Sequence, residues 1–305
     1  MSLALLCPGQ GAQHPAMFDR LRGIDAARGV IDACSRVLGR DAFEAAAADD
    51  RFDNNQAQPL VCAASLGHWQ GLQHALPTPT LVAGYSIGEL AAHAVAGSFT
   101  ADICLDLAAR RAALMDQASP ADAGMQAVLG LHRPALQALC EARGAHIAIV
   151  NGVDHFIIGG SLAALQAVAS AATQQHGEVR PLPVHVPAHT PLLAQAADGF
   201  AQVLAQAPLV APGPLVLAGI DGRPVRDRAN TERTLSAQLS QTIEWAQVMR
   251  QAFERGARVF LQLGPGTALA RMAAADYPCC AVRAVEEFQH LDGAAAWVHR
   301  ALERL

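Results

Sequence analysis

The fold is set by residues 81–92, which read Leu81-Val82-Ala83-Gly84-Tyr85-Ser86-Ile87-Gly88-Glu89-Leu90-Ala91-Ala92. The apolar run at residues 80–83 predicts a buried strand, and the composition from Ile87 onward favours a helix. Residues 84–88 therefore form a G-x-S-x-G motif at a strand-to-helix turn, which is the context that this motif requires. Such a turn holds the hydroxyl of Ser86 at its apex, beside the free N–H groups of the helix N-terminus.

Ser86 has two interpretations at this point. As a nucleophile, it would attack a carbonyl carbon while the backbone N–H groups of the helix stabilise the developing oxyanion. Alternatively, the run from Ser86 to Glu89 matches S-x-x-E, a capping box in which the serine only satisfies free N–H groups of the helix. Short motifs match by chance, so the rest of the chain has to supply the partners that a nucleophile needs.

The composition predicts a cytoplasmic protein with a large core. Of the 305 residues, 52% are hydrophobic and 16% are charged, which argues against disorder. No apolar segment approaches the roughly 18 residues of a membrane-spanning helix, and the first residues run into Pro8 without the basic region of a signal peptide. The seven cysteines form no C-x-x-C pair and no metal-ligand spacing, so we expect reduced, buried thiols and no metal site.

The charged residues exclude several function classes. The net charge of −5 provides no basic footprint for nucleic acid or for an anionic membrane surface. Lysine is absent from the chain, which excludes a lysine Schiff base, hence pyridoxal phosphate chemistry, and a lysine-bearing phosphate loop. We therefore expect no permanently bound cofactor.

One predicted helix carries a charged residue on its apolar stripe. Arg111 falls on the same stripe as Ile103, Leu107 and Leu114, whereas Arg110 is rotated toward solvent. A guanidinium held against a core needs an anion, and its flat donor fork fits a carboxylate in bidentate geometry. That carboxylate could belong to a ligand or to an internal aspartate or glutamate, and the pattern leaves both possibilities open.

Residues 124–188 predict a small inserted domain. They read in order as a strand, a helix, two strands, a helix and a last strand at residues 179–186, which is the split-βαβ pattern of a ferredoxin-like unit. Because α/β alternation resumes afterwards, residues 1–123 and 189–305 are predicted to form a large α/β-hydrolase-like domain with a mainly parallel sheet.

Other elements follow from the same patterns. Buried strands are predicted at residues 2–7, 78–84, 215–219 and 257–263, and helices at residues 17–22, 26–38, 59–72, 232–241 and 267–274. His93 lies about two turns along the helix from Ser86, roughly 10 Å away, so we expect it to be structural.

A serine nucleophile needs a base, because a hydroxyl is hardly ionised at neutral pH. The chain has 12 histidines, so the presence of one is no evidence by itself. His189 differs from the others because Pro187 and Pro191 bracket it and restrict its loop. An exposed loop histidine without a role is the alternative.

Five dispersed motifs occur in one order at characteristic separations. They are Pro8-Gly9-Gln10-Gly11-Ala12-Gln13, Gly84-Tyr85-Ser86-Ile87-Gly88-Glu89, Arg111 with Met115, Val186-Pro187-Ala188-His189 and Leu263-Gly264-Pro265-Gly266. Together they resemble malonyl-CoA:acyl-carrier-protein transacylases over nearly the whole chain, including the inserted ferredoxin-like domain. Five motifs in register are far more specific than any one of them.

The resemblance implies roles for the matching residues. Ser86 would carry the acyl group, and His189 would take its proton and later activate the acceptor thiol. In this family a backbone carbonyl orients the histidine, and the matching residue here is Gln238. Arg111 would bind the free carboxylate of malonate. The oxyanion hole would consist of two backbone N–H groups, those of Gln10 and Ile87.

Tyr85 departs from the family pattern, which usually has histidine before the serine. A G-Y-S-x-G-E elbow is similar to that of the transacylase subunit of bacterial malonate decarboxylase, and Tyr85 would then line the acyl site. That enzyme transfers malonyl from malonyl-CoA to a dedicated carrier protein with a modified CoA-like thiol arm.

The resulting expectation is an acyltransferase that uses malonyl-CoA, releases CoA and loads this carrier, with other malonate decarboxylase subunits as further partners. Three alternatives are kept. They are a transacylase of fatty-acid or polyketide synthesis, which loads an acyl carrier protein with a phosphopantetheine arm; a serine thioesterase or hydrolase; and a non-catalytic carrier-docking subunit. A hydrolase typically needs an acidic triad residue between the serine and a late histidine.

Overall fold

The computed structural model describes residues 2–304, which form a six-stranded and a four-stranded sheet with helices around them. The strands are β1 (Ser2–Cys7), β2 (Leu81–Gly84), β3 (Ala123–Leu129), β4 (His146–Val150), β5 (His155–Ser161), β6 (Glu178–Pro181), β7 (Leu215–Leu217), β8 (Pro224–Val225), β9 (Ala257–Gln262) and β10 (Ala281–Ala284). The helices are α1 (Asp25–Leu38), α2 (Ala42–Ala47), α3 (Asn54–Leu72), α4 (Ile87–Val95), α5 (Ala101–Ala118), α6 (Arg133–Glu141), α7 (Leu162–Gln174), α8 (Ala194–Gln206), α9 (Arg228–Ala237), α10 (Trp245–Glu254), α11 (Ala268–Asp276) and α12 (Leu291–Glu303). None of the helices within residues 2–304 combines the length and the hydropathy that crossing a membrane requires.

The large sheet has the strand order β10-β9-β1-β2-β7-β8. Its neighbouring strands are parallel except for β8, which pairs antiparallel with β7. Residues 3–7 of β1 are all buried because helices cover both faces of the sheet, which explains why this strand is a continuous apolar run. Strand β1 pairs with β2 on one side and with β9 on the other, so the order of the strands reverses at β1. Ligands of open α/β sheets bind at such a switch point, beyond the carboxyl ends of the strands.

The small sheet has the strand order β4-β5-β3-β6, and all of its pairs are antiparallel. Residues 123–181 follow the predicted order of strand, helix, strand, strand, helix and strand. One face of the sheet packs against α6 and α7, whereas Met125, Ile149 and Ile157 on the other face join the core of the large sheet. A parallel β-bridge joins Ile149 of β4 to Ile243, which lies in the segment between α9 and α10.

The last strand of the small sheet is shorter than predicted. It ends at Pro181 and not at residue 186. The N–H group of Leu182 still donates to the carbonyl oxygen of Met125 in β3 at 3.1 Å, but Pro183 after it has no N–H group to donate. Residues 182–188 form a loop instead, and four of them line the cavity described below.

Several other predicted boundaries differ from the structure. Helix α3 begins at Asn54 and carries Pro59 in its second turn, and residues 17–22 contain only a short 3-10 turn at Asp19–Leu21. Helix α9 begins one turn before the predicted residue 232, because the side chain of Asp227 accepts a hydrogen bond from the backbone N–H of Asn230. It ends at Ala237, which leaves the carbonyl group of Gln238 free of the helix. The sequence patterns predict none of the elements α2, β8, α10, β10 and α12.

Candidate active site

The turn between β2 and α4 holds Ser86 in a backbone conformation that is rare for a residue with a side chain. Its φ is 55° and its ψ is −121°. The two flanking glycines allow the turn to pack this closely. A Cβ atom on Gly84 would lie 2.2 Å from the carbonyl oxygen of Gly88, and one on Gly88 would lie 2.1 Å from the carbonyl oxygen of Cys7. The elbow therefore depends on the absence of side chains where α4, β1 and β2 meet.

The hydroxyl of Ser86 does not cap helix α4. No side-chain capping hydrogen bond is formed at this residue, and its Oγ atom lies 2.8 Å from Nε2 of His189. Glu89, the acidic member of the apparent capping box, is fully buried and accepts hydrogen bonds from Gly219 and Gln238 instead. The capping-box interpretation of this stretch is therefore wrong.

His189 is buried, with 1% of its surface exposed, so the alternative of an exposed loop histidine is also wrong. Its backbone has a φ of 63°, and its N–H group donates to the carbonyl oxygen of Leu239 at 2.8 Å. The Nδ1 atom of the ring contacts the carbonyl oxygen of Gln238. A carbonyl oxygen can only accept, so Nδ1 carries the hydrogen of the neutral ring and Nε2 is free to accept from the hydroxyl of Ser86.

Burial lowers the pKa of His189 to about 3, and the nearby charge of Arg111 acts in the same direction. The hydrogen bond with the carbonyl group of Gln238 opposes these two effects. At neutral pH the ring is therefore unprotonated at Nε2, which is the state that a general base requires.

Gln238 connects the groups of the site through both its backbone and its side chain. Its carbonyl oxygen accepts from Nδ1 of His189, and this is the contact that the family resemblance implies for this position. Its Oε1 atom accepts from Nη2 of Arg111 at 3.1 Å, and its Nε2 atom donates to the carbonyl oxygen of Ser86 at 3.2 Å. Sequence reasoning missed these side-chain contacts, because nothing in the local pattern around Gln238 indicates them.

Arg111 is buried, with 2% of its surface exposed, as its place on the apolar stripe of α5 predicts. Its Nη1 atom lies 2.8 Å from Oε1 of Gln58, so both of its hydrogen-bond partners are neutral amides. Within residues 2–304 no carboxylate lies at ion-pair distance from this guanidinium, and the alternative of an internal ion pair is wrong. Burial lowers its pKa to about 10, so the group stays charged at neutral pH. Arg110 is exposed and pairs with Asp106 at 2.8 Å.

The two backbone N–H groups proposed for an oxyanion hole lie at the carboxyl ends of adjacent strands. Gln10 follows β1, and Ile87 is the first residue of α4. The strand ends are held together by a hydrogen bond of 2.9 Å from the N–H group of Tyr85 to the carbonyl oxygen of Cys7. In the part of the chain that the structure describes, neither N–H group donates to a backbone carbonyl, and Gln10 lines the cavity described next.

Ser86, His189, Arg111, Gln10 and Tyr85 line one cavity of about 400 Å³. This volume lies in the range of small-molecule sites. Its walls come from the strand ends of the large sheet, the inner face of the small sheet, the loop at residues 182–188 and helix α11, and they include the side chains of Met125, Ile149, Ile157, Arg271 and Met272.

Tyr85 packs edge-to-face against Trp245, with ring centroids 5.3 Å apart. Burial raises the pKa of Tyr85, so its phenol is neutral and adds no charge beside Ser86.

Other titratable groups give no sign of a metal site. Among residues 2–304, no group of three or more histidine, cysteine, aspartate and glutamate side chains is placed to hold a metal ion. His93 is buried outside the cavity, with Nδ1 at 3.1 Å from Oγ of Ser98 and its ring stacked on Phe99, so its position is structural as expected.

Comparison with known proteins gives the family. Residues 4–278 match the acyl transferase domain family. The chain is 32% identical over 297 residues to the malonyl CoA-acyl carrier protein transacylase of Mycobacterium tuberculosis strain H37Rv, covering 95% of this chain and 98% of the relative. The chain belongs to the malonyl-CoA:acyl-carrier-protein transacylase family.

Solved transacylase structures share the fold along nearly all of the chain. The acyl-carrier-protein S-malonyltransferase of Burkholderia pseudomallei is 28% identical with a TM-score of 0.91, and the match covers 97% of this chain and 100% of that one. A malonyl-transacylase solved in complex with a type II polyketide acyl-carrier protein is 25% identical with a TM-score of 0.92, covering 97% of this chain and 99% of that one. The combination of a parallel sheet and a second antiparallel sheet is therefore the transacylase architecture.

Proposed function

We propose that this chain is a malonyl-CoA:acyl-carrier-protein S-malonyltransferase that works by a ping-pong mechanism with Ser86 as nucleophile and His189 as base. The observation that carries the proposal is the 2.8 Å contact between Oγ of Ser86 and Nε2 of His189, in a cavity that also contains the buried, unpaired cation of Arg111. The names of the family relatives support the same activity.

In the first half-reaction, Oγ of Ser86 attacks the thioester carbonyl carbon of malonyl-CoA while Nε2 of His189 takes the hydroxyl proton. The N–H groups of Gln10 and Ile87 stabilise the negative charge on the carbonyl oxygen in the tetrahedral intermediate. The carbon–sulfur bond then breaks, and the imidazolium of His189 returns the proton to the sulfur, so that CoA leaves as a thiol.

In the second half-reaction, the thiol of the carrier arm takes the place of CoA. His189 accepts the thiol proton, the sulfur attacks the ester carbonyl carbon, and the bond to Oγ of Ser86 breaks. The proton passes from His189 to Oγ, which restores the free enzyme. The backbone carbonyl of Gln238 holds the Nδ1–H tautomer throughout, since Nε2 must alternate between accepting and donating.

Arg111 selects the acyl group in this proposal. The guanidinium is desolvated and bound only by the amides of Gln58 and Gln238, so a malonyl carboxylate supplies the anion that it lacks. An acetyl group supplies no charge. No permanently bound cofactor takes part, and CoA is only a product.

Two acceptors are candidates. The relatives named as transacylases and the structure of one with a polyketide carrier favour an acyl carrier protein of fatty-acid or polyketide synthesis with a phosphopantetheine arm. Tyr85 in place of the usual histidine favours the carrier of malonate decarboxylase, whose other subunits would then be further partners. The chemistry at Ser86 is the same in both cases.

The small sheet and the location of the protein complete the proposal. We propose residues 124–188 as a ferredoxin-like domain inserted into an α/β-hydrolase-like domain of residues 1–123 and 189–305, on the evidence of the strand order β4-β5-β3-β6 and the serine elbow.

A cytoplasmic location is supported by five free, fully buried cysteines at positions 7, 34, 62, 104 and 140.

The activity is tested by incubating the protein with malonyl-CoA and measuring its intact mass, followed by peptide mapping. We expect one malonyl adduct at Ser86, absent in Ser86→Ala, which then disappears when a holo carrier is added and reappears on the carrier. Free malonate without loaded carrier would indicate a hydrolase, and the absence of any adduct would indicate a docking subunit. Offering both carriers in equal amounts identifies the acceptor.

A further inference from the structure

Glu89 is a buried carboxyl group that the proposed mechanism does not use. It lies three residues after the nucleophile in α4, has no exposed surface and does not line the cavity. Its Oε2 atom accepts from the N–H group of Gly219 at 3.2 Å and from Nε2 of Gln238 at 3.1 Å. Its Oε1 atom has no hydrogen-bond partner among the described residues. A buried acid in this position calls for an explanation, because burial of a charged group is unfavourable without compensation.

The contact with Glu89 determines which way the side-chain amide of Gln238 faces. Its NH₂ group lies against Oε2 of Glu89 and the carbonyl oxygen of Ser86, and both of these atoms are acceptors. The amide oxygen therefore faces Nη2 of Arg111, which is a donor. With the amide reversed, its NH₂ group would face the guanidinium, and donor would be placed against donor.

Arg111, Gln238 and Glu89 form a hydrogen-bonded chain in which Arg111 and Glu89 make no direct ion pair. Arg111 and Glu89 lie on opposite sides of the Gln238 amide, which contacts both of them. Burial raises the pKa of Glu89 to about 8, and the charge of Asp221 acts in the same direction. The hydrogen bond from Gly219 and the charge of Arg111 oppose this rise. The amide of Gln238 is therefore the hydrogen-bonded link between the acid and the guanidinium.

We propose that Glu89 is a positioning residue that sets the selectivity for the malonyl carboxylate, by fixing the Gln238 amide that in turn orients Arg111. This inference rests on the proposed malonyl transfer. It assigns to the acidic residue of the elbow a role in recognising the acyl group and none in the bond-making steps.

The test compares three variants by the rates at which Ser86 is loaded from malonyl-CoA and from acetyl-CoA. Glu89→Leu removes the acceptor and is expected to lower the malonyl-to-acetyl ratio about tenfold, through a higher KM for malonyl-CoA, because the amide of Gln238 loses its partner. Glu89→Gln keeps an acceptor oxygen at the same distance and is expected to retain the ratio within about threefold. Glu89→Asp keeps a carboxyl group but shortens the side chain by one methylene group, which moves the acceptor away from Gln238. We expect the malonyl-to-acetyl ratio to fall about threefold or more.

Leu90→Ala is the matched control, since Leu90 is buried in the same helix and does not line the cavity. It should lower thermal stability while leaving the malonyl-to-acetyl ratio unchanged. If Glu89→Leu folds and lowers both loading rates equally, Glu89 is only structural and the inference is overturned. If Glu89→Leu does not fold, Glu89→Asp decides, and a ratio equal to that of the wild type overturns the inference. Failure of the wild-type chain to load malonyl at all contradicts the proposed function instead.

Discussion

The Nη2 atom of Arg111 lies 3.1 Å from the amide oxygen of Gln238, 127 residues further along the chain. The second hydrogen-bonded amide, that of Gln58, lies 2.8 Å from Nη1. Two neutral amides orient the guanidinium but leave its charge uncompensated by any contacting group in residues 2–304. A buried cation that is oriented but unpaired is suited to an anionic substrate, because binding supplies both the charge and the remaining acceptors.

Replacement of Arg111 should change which acyl group is transferred. In Arg111→Ala the carboxylate of malonyl-CoA has no counter-charge, and leaving one partner unpaired in such a buried pair costs about 2–5 kcal/mol. We therefore expect malonyl loading of Ser86 to fall about 30-fold or more, while acetyl loading stays within about threefold. Arg111→Lys keeps the charge but loses the planar donor fork, so its rate of malonyl loading should lie between those of the wild type and Arg111→Ala. Equal rates for both acyl groups in the wild type would contradict the assignment.

His189→Gln should slow the loading of Ser86 by about 10²–10⁴-fold, which is the usual contribution of a positioned general base. Binding of malonyl-CoA should be retained, because Arg111 is unchanged. The measurement is the single-turnover rate of adduct formation by mass spectrometry. His93→Gln is the control: His93 is also buried but outside the cavity, so its loading rate per folded molecule should stay near that of the wild type.

The pH profile of loading should reflect the environment of His189. Its pKa is lowered to about 3, so the ring remains an unprotonated base far below the ordinary histidine range. Between pH 7 and pH 5 the single-turnover rate of malonyl loading should change by less than about twofold, and it should fall only as the pH approaches the lowered pKa. A rate that halves near pH 6.5 would show a solvent-accessible imidazole, contrary to the geometry.

The glycines of the elbow should tolerate no side chain. Gly84→Ala or Gly88→Ala places a Cβ atom at 2.1–2.2 Å from backbone atoms, and we expect a loss of about 3 kcal/mol or more in the free energy of unfolding. Gly29→Ala is the matched control, because a Cβ atom there meets nothing within 4 Å in the middle of α1. That substitution should stabilise the protein by about 0.5–1 kcal/mol in urea unfolding. If all three variants unfold at the same urea concentration, the close packing of the elbow is wrong.

Glu89 should make the stability of the protein depend on pH in a defined direction. Its pKa in the folded state is about 8, above that of an unfolded chain, so the folded state binds more protons between these two values. The contribution of Glu89 to stability is therefore fully present at low pH and is lost as the pH rises through about 8. Relative to Glu89→Gln, the wild type should become less stable in urea from pH 5.5 to pH 8.5. A constant difference between the two proteins would contradict a raised pKa.

The features that local sequence predicts are those that depend on neighbouring residues. The elbow at residues 84–88 follows from an apolar strand, two glycines and a helix-forming run. The burial of Arg111 follows from the helical spacing of its apolar neighbours. Both expectations agree with the structure because each depends on residues within a few turns of the chain.

The features that local sequence could not predict depend on distant segments. Local sequence could not decide whether Ser86 caps its helix or faces a base, because the base, His189, lies 103 residues further along the chain. The partners of Arg111 lie on α3 and just after α9, so spacing could not choose between an internal acid and a pair of amides. The side-chain contacts of Gln238 depend on where α9 ends, and helix ends are the least reliable part of a pattern-based assignment.

The two sheets divide the walls of the cavity between them. Ser86, His189 and Arg111 all come from segments outside the small sheet, whereas Met125, Ile149 and Ile157 come from its inner face. The small sheet therefore shapes part of the cavity without contributing Ser86, His189 or Arg111. Substitutions confined to those three apolar positions would widen or narrow the cavity and leave Ser86, His189 and Arg111 unchanged.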